Sequence, residues 1–305
     1  MNASTYDVAL RATGIGSSAS AACAGVSPYR TPLEEYYRFV EAIEQEQPRE
    51  LNIDPEKAFF GHAMEPVIRA AFARETGMKV RANTRTFRSK QHPHLIATPD
   101  SFIVRERAIL ELKTAGLRTI RAWGEEGTDQ VPMHYLVQVA HQMAVLDYDR
   151  AQLAVLLGAN DLRIYRIDRD PELEQLLLGR LAEFWRRVQE RDPPPPSTLA
   201  DAALRWSKDN GAAIAATPAL VECVGELKRL KRESKDLDAL IDARELELKA
   251  YLGEFSELTG PDGKALCTWK AQQSKRLDQT RLKTEAPEIY ERFLCVSESR
   301  VLRIK

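Results

Sequence analysis

The chain has 305 residues, enough for one large domain or two ordinary ones, and its 44% hydrophobic and 29% charged residues are the balance of a globular protein. Lys and Arg number 44 against 45 Asp and Glu, a formal charge of −1, which excludes a uniformly basic coat. Any phosphate-binding surface must then be a local patch or a lined channel.

No window approaches the roughly 18 uninterrupted apolar residues of a membrane span, so no membrane partner is expected. The opening MNASTYDVALRATG lacks a basic stretch followed by an apolar one, so no secretory leader is expected either. The cysteines Cys23, Cys223, Cys267 and Cys295 are far apart. That spacing makes neither a disulfide framework nor a tight metal site, and it points to a reducing cytoplasm.

In chain order, Leu10–Arg30 is rich in Gly, Ala and Ser and closes in the turn Ser27-Pro28-Tyr29-Arg30-Thr31-Pro32. A helix is predicted over Pro32–Glu46, with Thr31 as cap and Pro32 in the first turn. After the polar loop Gln47–Asp54, apolar residues from Phe59 to Phe72 recur at helical spacing over Pro55–Thr76, and Gly77 supplies a stop. Pro66 inside this run predicts a kink or a handover between two helices. Strands are predicted at Lys79–Arg88, Leu95–Val104 and Ala108–Thr114, then a loop to Pro132 and a helix over Met133–Leu146. Strands Ala151–Leu157 and Leu162–Ile167 complete a mixed α/β core.

A helix over Pro171–Arg191 precedes the four prolines Pro193–Pro196, a stiff boundary. A long periodic segment follows over Pro218–Leu258, on the order of 60 Å if fully helical. Its apolar stripe (Leu220, Val224, Leu227, Leu230, Leu237, Leu240, Ile241, Leu248, Leu252, Phe255) suits packing on its own domain or between subunits. The turn Pro261-Asp262-Gly263 and the run Lys264–Gln272 predict a small hairpin, and Arg300–Lys305 reads as a further strand. The expected organisation is a first domain over 1–192, a Pro-rich boundary with a connecting helix over 193–217, and a long helix plus hairpin over 218–305 for oligomer or partner contacts.

Several polar residues sit where a core should be apolar. Asp100 follows Thr98-Pro99, and Glu111 and Lys113 alternate with Leu110 and Leu112, so both point to one face of a strand. Glu65 lies in the preceding helix and Gln138 on the apolar side of the following one. Carboxylates on adjacent strands suit a hard divalent cation, which binds oxygen ligands and keeps waters. A metal-bound water can attack phosphorus, with Lys113 orienting it or helping to deprotonate it. A structural ion pair such as Asp100–Lys113 would explain the same residues singly; the ordered set favours metal chemistry.

That ordered set is Gly61-His62-Ala63-Met64-Glu65-Pro66, Thr98-Pro99-Asp100, Glu111-Leu112-Lys113 and Tyr135-Leu136-Val137-Gln138. It resembles the YqaJ-like viral recombinase family, relatives of the bacteriophage lambda exonuclease among the PD-(D/E)XK nucleases. The run from Arg11 through Gly14-Ile15-Gly16-Ser17-Ser18, and Ser27-Pro28-Tyr29, fit the same family, so the resemblance spans about residues 10–168. More loosely, Thr268-Trp269-Lys270, Pro287-Glu288-Ile289-Tyr290 and Arg300 resemble C-terminal extensions of some members.

The resemblance implies a restriction-endonuclease-like core, a mixed central sheet flanked by helices, with a mainly helical C-terminal extension ending in a small β-hairpin. It implies a Mg²⁺-dependent exonuclease, two ions per site with Mn²⁺ able to substitute, that degrades linear duplex DNA from the 5′ end. The 3′ strand would pass to a single-strand annealing protein. By the same resemblance Asp100, Glu111 and the Leu112 carbonyl hold metal, with Glu65 assisting. Lys113 positions the nucleophile and Gln138 orders the site. Arg11 and Ser18, with Ser17 beside them, receive the 5′-phosphate, and Tyr135, Arg118 and Arg121 lie where DNA would be gripped. A closed ring, preferably a trimer, and a bacterial host cell with a phage, prophage or mobile-element origin complete the expectation. An endonuclease or single-strand nuclease on the same core, and a non-catalytic DNA-end-binding adaptor, are the alternatives.

Other candidates carry less. The cysteine spacing argues against an iron–sulfur cluster. His92, His94, His134 and His141 have no evident soft ligands to complete a zinc site, whereas His62, one turn before Glu65, is placed to face the active site. Arg81, Arg85, Arg88 and Lys90 are candidate phosphate contacts, and Trp123 is either a base-stacking ring or a loop anchor.

Overall fold

A computed structural model of the chain describes residues 13–45, 55–158, 160–296 and 298–304. Two compact units emerge, Met1–Arg205 and Trp206–Lys305. The division falls between Arg205 and Trp206, with the proline run and the short helix α6 (Leu199–Arg205) on the side of the first unit.

The first unit is built on a five-stranded sheet in the order β2-β5-β6-β7-β8, formed by Val80–Ala82, Ser101–Ile103, Ala108–Ala115, Arg150–Leu157 and Asp161–Asp168. β6 and β7 are parallel and the other pairs antiparallel. Helix α3 (Pro55–Thr76) and helix α4 (Met133–Leu146) take opposite faces. The alternation of β6 decides which residue goes where: Ala108, Leu110 and Leu112 pack with Ile68 and Phe72 of α3, while Ile109 packs with Val139 and Met143 of α4. Glu111 and Lys113 share the parity of Ile109, so they point to the α4 side.

Beyond α4 lies a further layer of α1 (Ser17–Cys23), α2 (Pro32–Glu44) and α5 (Pro171–Glu190), with a small sheet in the order β1-β4-β3 (Ile15–Gly16, Leu95–Ala97, Phe87–Arg88). α1 was not foreseen, because its Ser and Ala residues carry little periodic signal. β1 and β4 pair so closely that a Cβ on Gly14 would sit 2.8 Å from the His94 carbonyl oxygen, which explains glycine there. α2 begins on the expected cap: Thr31 and Glu34 form a reciprocal capping box.

Three expectations need correction. Pro66 lies within one 22-residue helix rather than at a handover, with Gly77 beyond its end at φ +68°. The predicted strands Lys79–Arg88 and Leu95–Val104 are each split, one part joining the small sheet and the other the large one. The break at Thr98-Pro99-Asp100 is where the chain changes sheets. Asn83 pins it: its side-chain amide donates to the Pro99 carbonyl at 2.9 Å, its N–H donates to the Asp100 carbonyl at 3.0 Å, and its Oδ1 accepts the Arg85 N–H at 3.0 Å. The loop before Pro132 contains a 3-10 helix, Leu117–Ala122.

The second unit holds the 35-residue helix α7 (Pro218–Leu252), capped by Thr217, and a hairpin of β9 (Glu257–Thr259) and β10 (Ala265–Thr268). The hairpin is present but does not end the chain's ordered elements, since short helices follow at Gln279–Glu285 and Pro287–Arg292. Arg300–Arg303 forms no strand. No helix among the described residues is long and apolar enough to cross a membrane.

Candidate active site

Asp100 enters at the sheet-changing break, and its carboxylate accepts the Leu112 N–H at 2.8 Å, locking it to β6. Next to it, Glu111 is 2% exposed and all its hydrogen-bonding donors are side chains. Lys113 donates to Glu111 Oε1 at 2.6 Å, Gln138 to the same oxygen at 2.5 Å, and Gln142 to Oε2 at 2.8 Å. A buried carboxylate is tolerable only when paired and hydrogen-bonded in this way.

Gln142 is the residue that sequence reasoning missed. It lies four residues after Gln138 on α4, hence on the same helix face, and it is fully buried. That spacing was the available signal. Its amide also reaches Ser17 Oγ at 3.4 Å.

Burial first, and then the Glu111 carboxylate, push Asp100 up to about 8 against the pull of Lys113 and the Leu112 N–H. Glu65 adds a smaller push in the same direction. For Lys113, burial acts downward, but Glu111 and Asp100 outweigh it and hold the ammonium above the ordinary lysine range. Lys113 is therefore a positive charge and hydrogen-bond donor in this arrangement.

The residues fit a hard divalent cation. Two crowded carboxylates, one of them retaining its proton well above the usual range, are short of positive charge, and every donor is oxygen. Among the described residues no three Asp, Glu, His or Cys side chains group as a metal-holding cluster. The residues that could hold such a cation are Asp100, Glu111 and the Leu112 carbonyl, with Glu65 as their electrostatic neighbour.

Tyr135 lies beside the same lysine, with Lys113 Nζ 5.2 Å from its ring centroid. Trp123 is 5% exposed and stacks on Tyr135 at 5.4 Å and against Tyr165 at 5.5 Å, so it anchors the loop. Arg118 and Arg121 are exposed on the 3-10 helix directly after β6. Ser18 is exposed, whereas Ser17 is buried with its hydroxyl 3.4 Å from the Gln142 amide. Arg11 lies outside the described residues.

Arg88 is committed to the Thr13 hydroxyl at 2.5 Å, whereas Arg81, Arg85 and Lys90 are exposed. His62 is exposed and bonded to the Ala58 carbonyl at 2.7 Å, one helical turn back. His141 is buried against the Ile96 carbonyl at 3.0 Å, and burial lowers it to about 4, so it is a neutral core residue.

Residues 8–149 match the YqaJ-like viral recombinase domain. The matched residues include Asp100, Glu111, Lys113, Gln138 and Gln142. An uncharacterized protein of Bacillus subtilis (strain 168), YqaJ, is 29% identical over 290 residues, 92% of this chain and 88% of that one. That likeness therefore runs past residue 149 into the second unit. Among solved structures, an alkaline exonuclease from Laribacter hongkongensis, LHK-Exo, aligns over 60% of this chain and 94% of its own at 18% identity and a TM-score of 0.46. A phage related exonuclease from Haemophilus somnus 129PT aligns over 58% and 96% at 12% identity and 0.45.

Proposed function

We propose that the chain is a divalent-cation-dependent exonuclease that degrades one strand of linear duplex DNA from its 5′ end. The observation that carries this is the pairing of Asp100, held up to about 8, with a buried Glu111 fixed by Lys113, Gln138 and Gln142. A cation held there by Asp100, Glu111 and the Leu112 carbonyl, Mg²⁺ with Mn²⁺ as substitute and two ions in the full site, would supply Lewis-acid activation of water and charge neutralisation at phosphorus.

The protein's own groups position the rest. Of the three donors on the Lys113 ammonium, Glu111 takes one, leaving two for the scissile phosphate and the attacking water. Gln138 and Gln142 hold Glu111 so that its charge stays aimed at the site. Arg118 and Arg121 offer guanidinium forks to backbone phosphates, and Arg11 with Ser18 receives the 5′-phosphate. The product is a 3′ single strand for an annealing protein, and a closed ring, preferably a trimer, would keep a near-neutral chain on its DNA by topology. The setting is the cytoplasm of a bacterial host, on a phage, prophage or mobile element.

The test is degradation of end-labelled linear duplex in Mg²⁺, comparing 5′-phosphate with 5′-hydroxyl ends, with closed circles and EDTA as controls. The expected result is 5′-phosphate-stimulated loss of one strand, circles intact and EDTA inhibitory. Cutting of circles would make it an endonuclease, and end binding without cutting would make it an adaptor. Light scattering that finds only monomer under active conditions removes the ring.

A further inference from the structure

An aromatic row leads from solvent to the catalytic lysine, and only Tyr135 at its inner end has so far been given a role. Tyr135 sits beside Lys113, His134 lies over Tyr135 with ring centroids 4.0 Å apart, and Tyr29 stands edge-on to His134 at 5.4 Å. Tyr29 is 72% exposed, while its backbone is held on both sides. The Ser27 hydroxyl accepts its N–H at 3.1 Å, and Pro28 stiffens the turn. Arg30 is tied at 3.1 Å to Glu35, which is fully buried, and Thr31 caps α2 while donating to Asp201 at 2.7 Å. The flanking residues are fixed, and the Tyr29 ring is presented outward beside Pro28, which is also exposed.

The His134 ring makes no hydrogen bond through its buried Nε2, so it is held by its ring contacts. A large exposed ring on a rigid turn contributes little to the fold, but it is pre-organised to receive a flat partner. In a nuclease site that partner is a base, since every nucleobase offers a π-face and stacks on tyrosine without regard to sequence.

We propose that Tyr29, backed by His134 and Tyr135, is a stacking site for an unpaired nucleobase at the DNA end, one that holds the strand beside Lys113. This rests on the nuclease reading above and adds the binding of the base to it.

The experiment uses the full chain and a linear duplex whose terminal nucleotides are replaced one at a time by 2-aminopurine or by an abasic unit. Wild type is compared with Tyr29→Ala and Tyr29→Phe, and melting temperatures verify folding. Binding is read in Ca²⁺ as 2-aminopurine quenching, and cutting is read in Mg²⁺ as kcat/KM. Stacking predicts quenching at one or two terminal positions in wild type and Tyr29→Phe and its loss in Tyr29→Ala. It also predicts that Tyr29→Ala lowers kcat/KM about 5- to 100-fold on normal DNA and has little further effect where the abasic unit removes the base.

Equal losses on normal and on every abasic substrate would overturn the stacking site while leaving the nuclease intact. So would unchanged kcat/KM and quenching in Tyr29→Ala. Tyr29-dependent quenching in a wild-type protein that cuts nothing would sustain the stacking site and overturn the nuclease reading. Absence of DNA binding in wild type would overturn both.

Discussion

The two units put their apolar residues to opposite use. In the first, Phe72, Leu110, Leu153 and Tyr165 are fully buried, and that core is dense enough to carry a buried Glu111 and a half-buried Asp100 and Lys113. In the second, α7 displays Leu220, Leu230, Leu237, Leu240, Ile241 and Leu248 on its surface, and Leu252 is its buried hydrophobic among the described residues. Its charges form exposed pairs such as Arg229–Glu233 and Lys249–Glu245, which solvent screens. A core surplus lets the first unit keep destabilising groups where chemistry needs them. The second unit has no such surplus, and its own elements leave its stripe uncovered.

The sharpest way to break this comparison is at the buried charges. Asp100→Ala and Lys113→Ala should each lower cleavage by about 10³-fold or more with the circular dichroism spectrum unchanged. Because Asp100 is raised to about 8 in the fold, the folded state binds its proton more tightly than the unfolded chain does. The cation-free protein should then lose stability as pH rises from about 4 toward 8, and Asp100→Asn should melt higher than wild type at pH 8. An Asn variant that melts lower would show that the charge is not a burden on the core.

Core truncation comes next. Leu110→Ala should cost about 2–5 kcal/mol in urea unfolding of the first unit. His141, lowered to about 4, acts in the opposite pH direction from Asp100. The unfolded histidine takes a proton first, so stability present above pH 6.5 is lost as pH falls toward 4, by on the order of 3 kcal/mol in total. His141→Gln should flatten that slope in melts between pH 7 and 4.

Smaller still is the competition between proton and cation at Asp100. Calorimetric titration should show Mg²⁺ binding tightening by up to about tenfold per pH unit between 6 and 8. The smallest effect belongs to α7: Leu237→Ala should change the stability of dilute protein by less than about 0.5 kcal/mol. A loss approaching that of Leu110→Ala would mean the stripe is covered in solution and the contrast between the units is false.

Sequence alone determined what is local. The Thr31 cap, the Gly77 stop, the span of α4 and the alternation that sends Glu111 and Lys113 to one face of β6 all depend on neighbours a few residues away. The order of Asp100, Glu111, Lys113 and Gln138 along the chain was legible for the same reason. Tertiary structure decided what depends on distant partners. It split the predicted strands between two sheets, because pairing of β4 with β1 and of β5 with β2 is a long-range choice. Burial of Ser17 and Trp123, and the reach of Gln142 to Glu111, follow from which layers meet across α4. The direction in which Asp100 titrates was likewise beyond the chain order, since it is set by the loss of water and by a carboxylate on the adjacent strand.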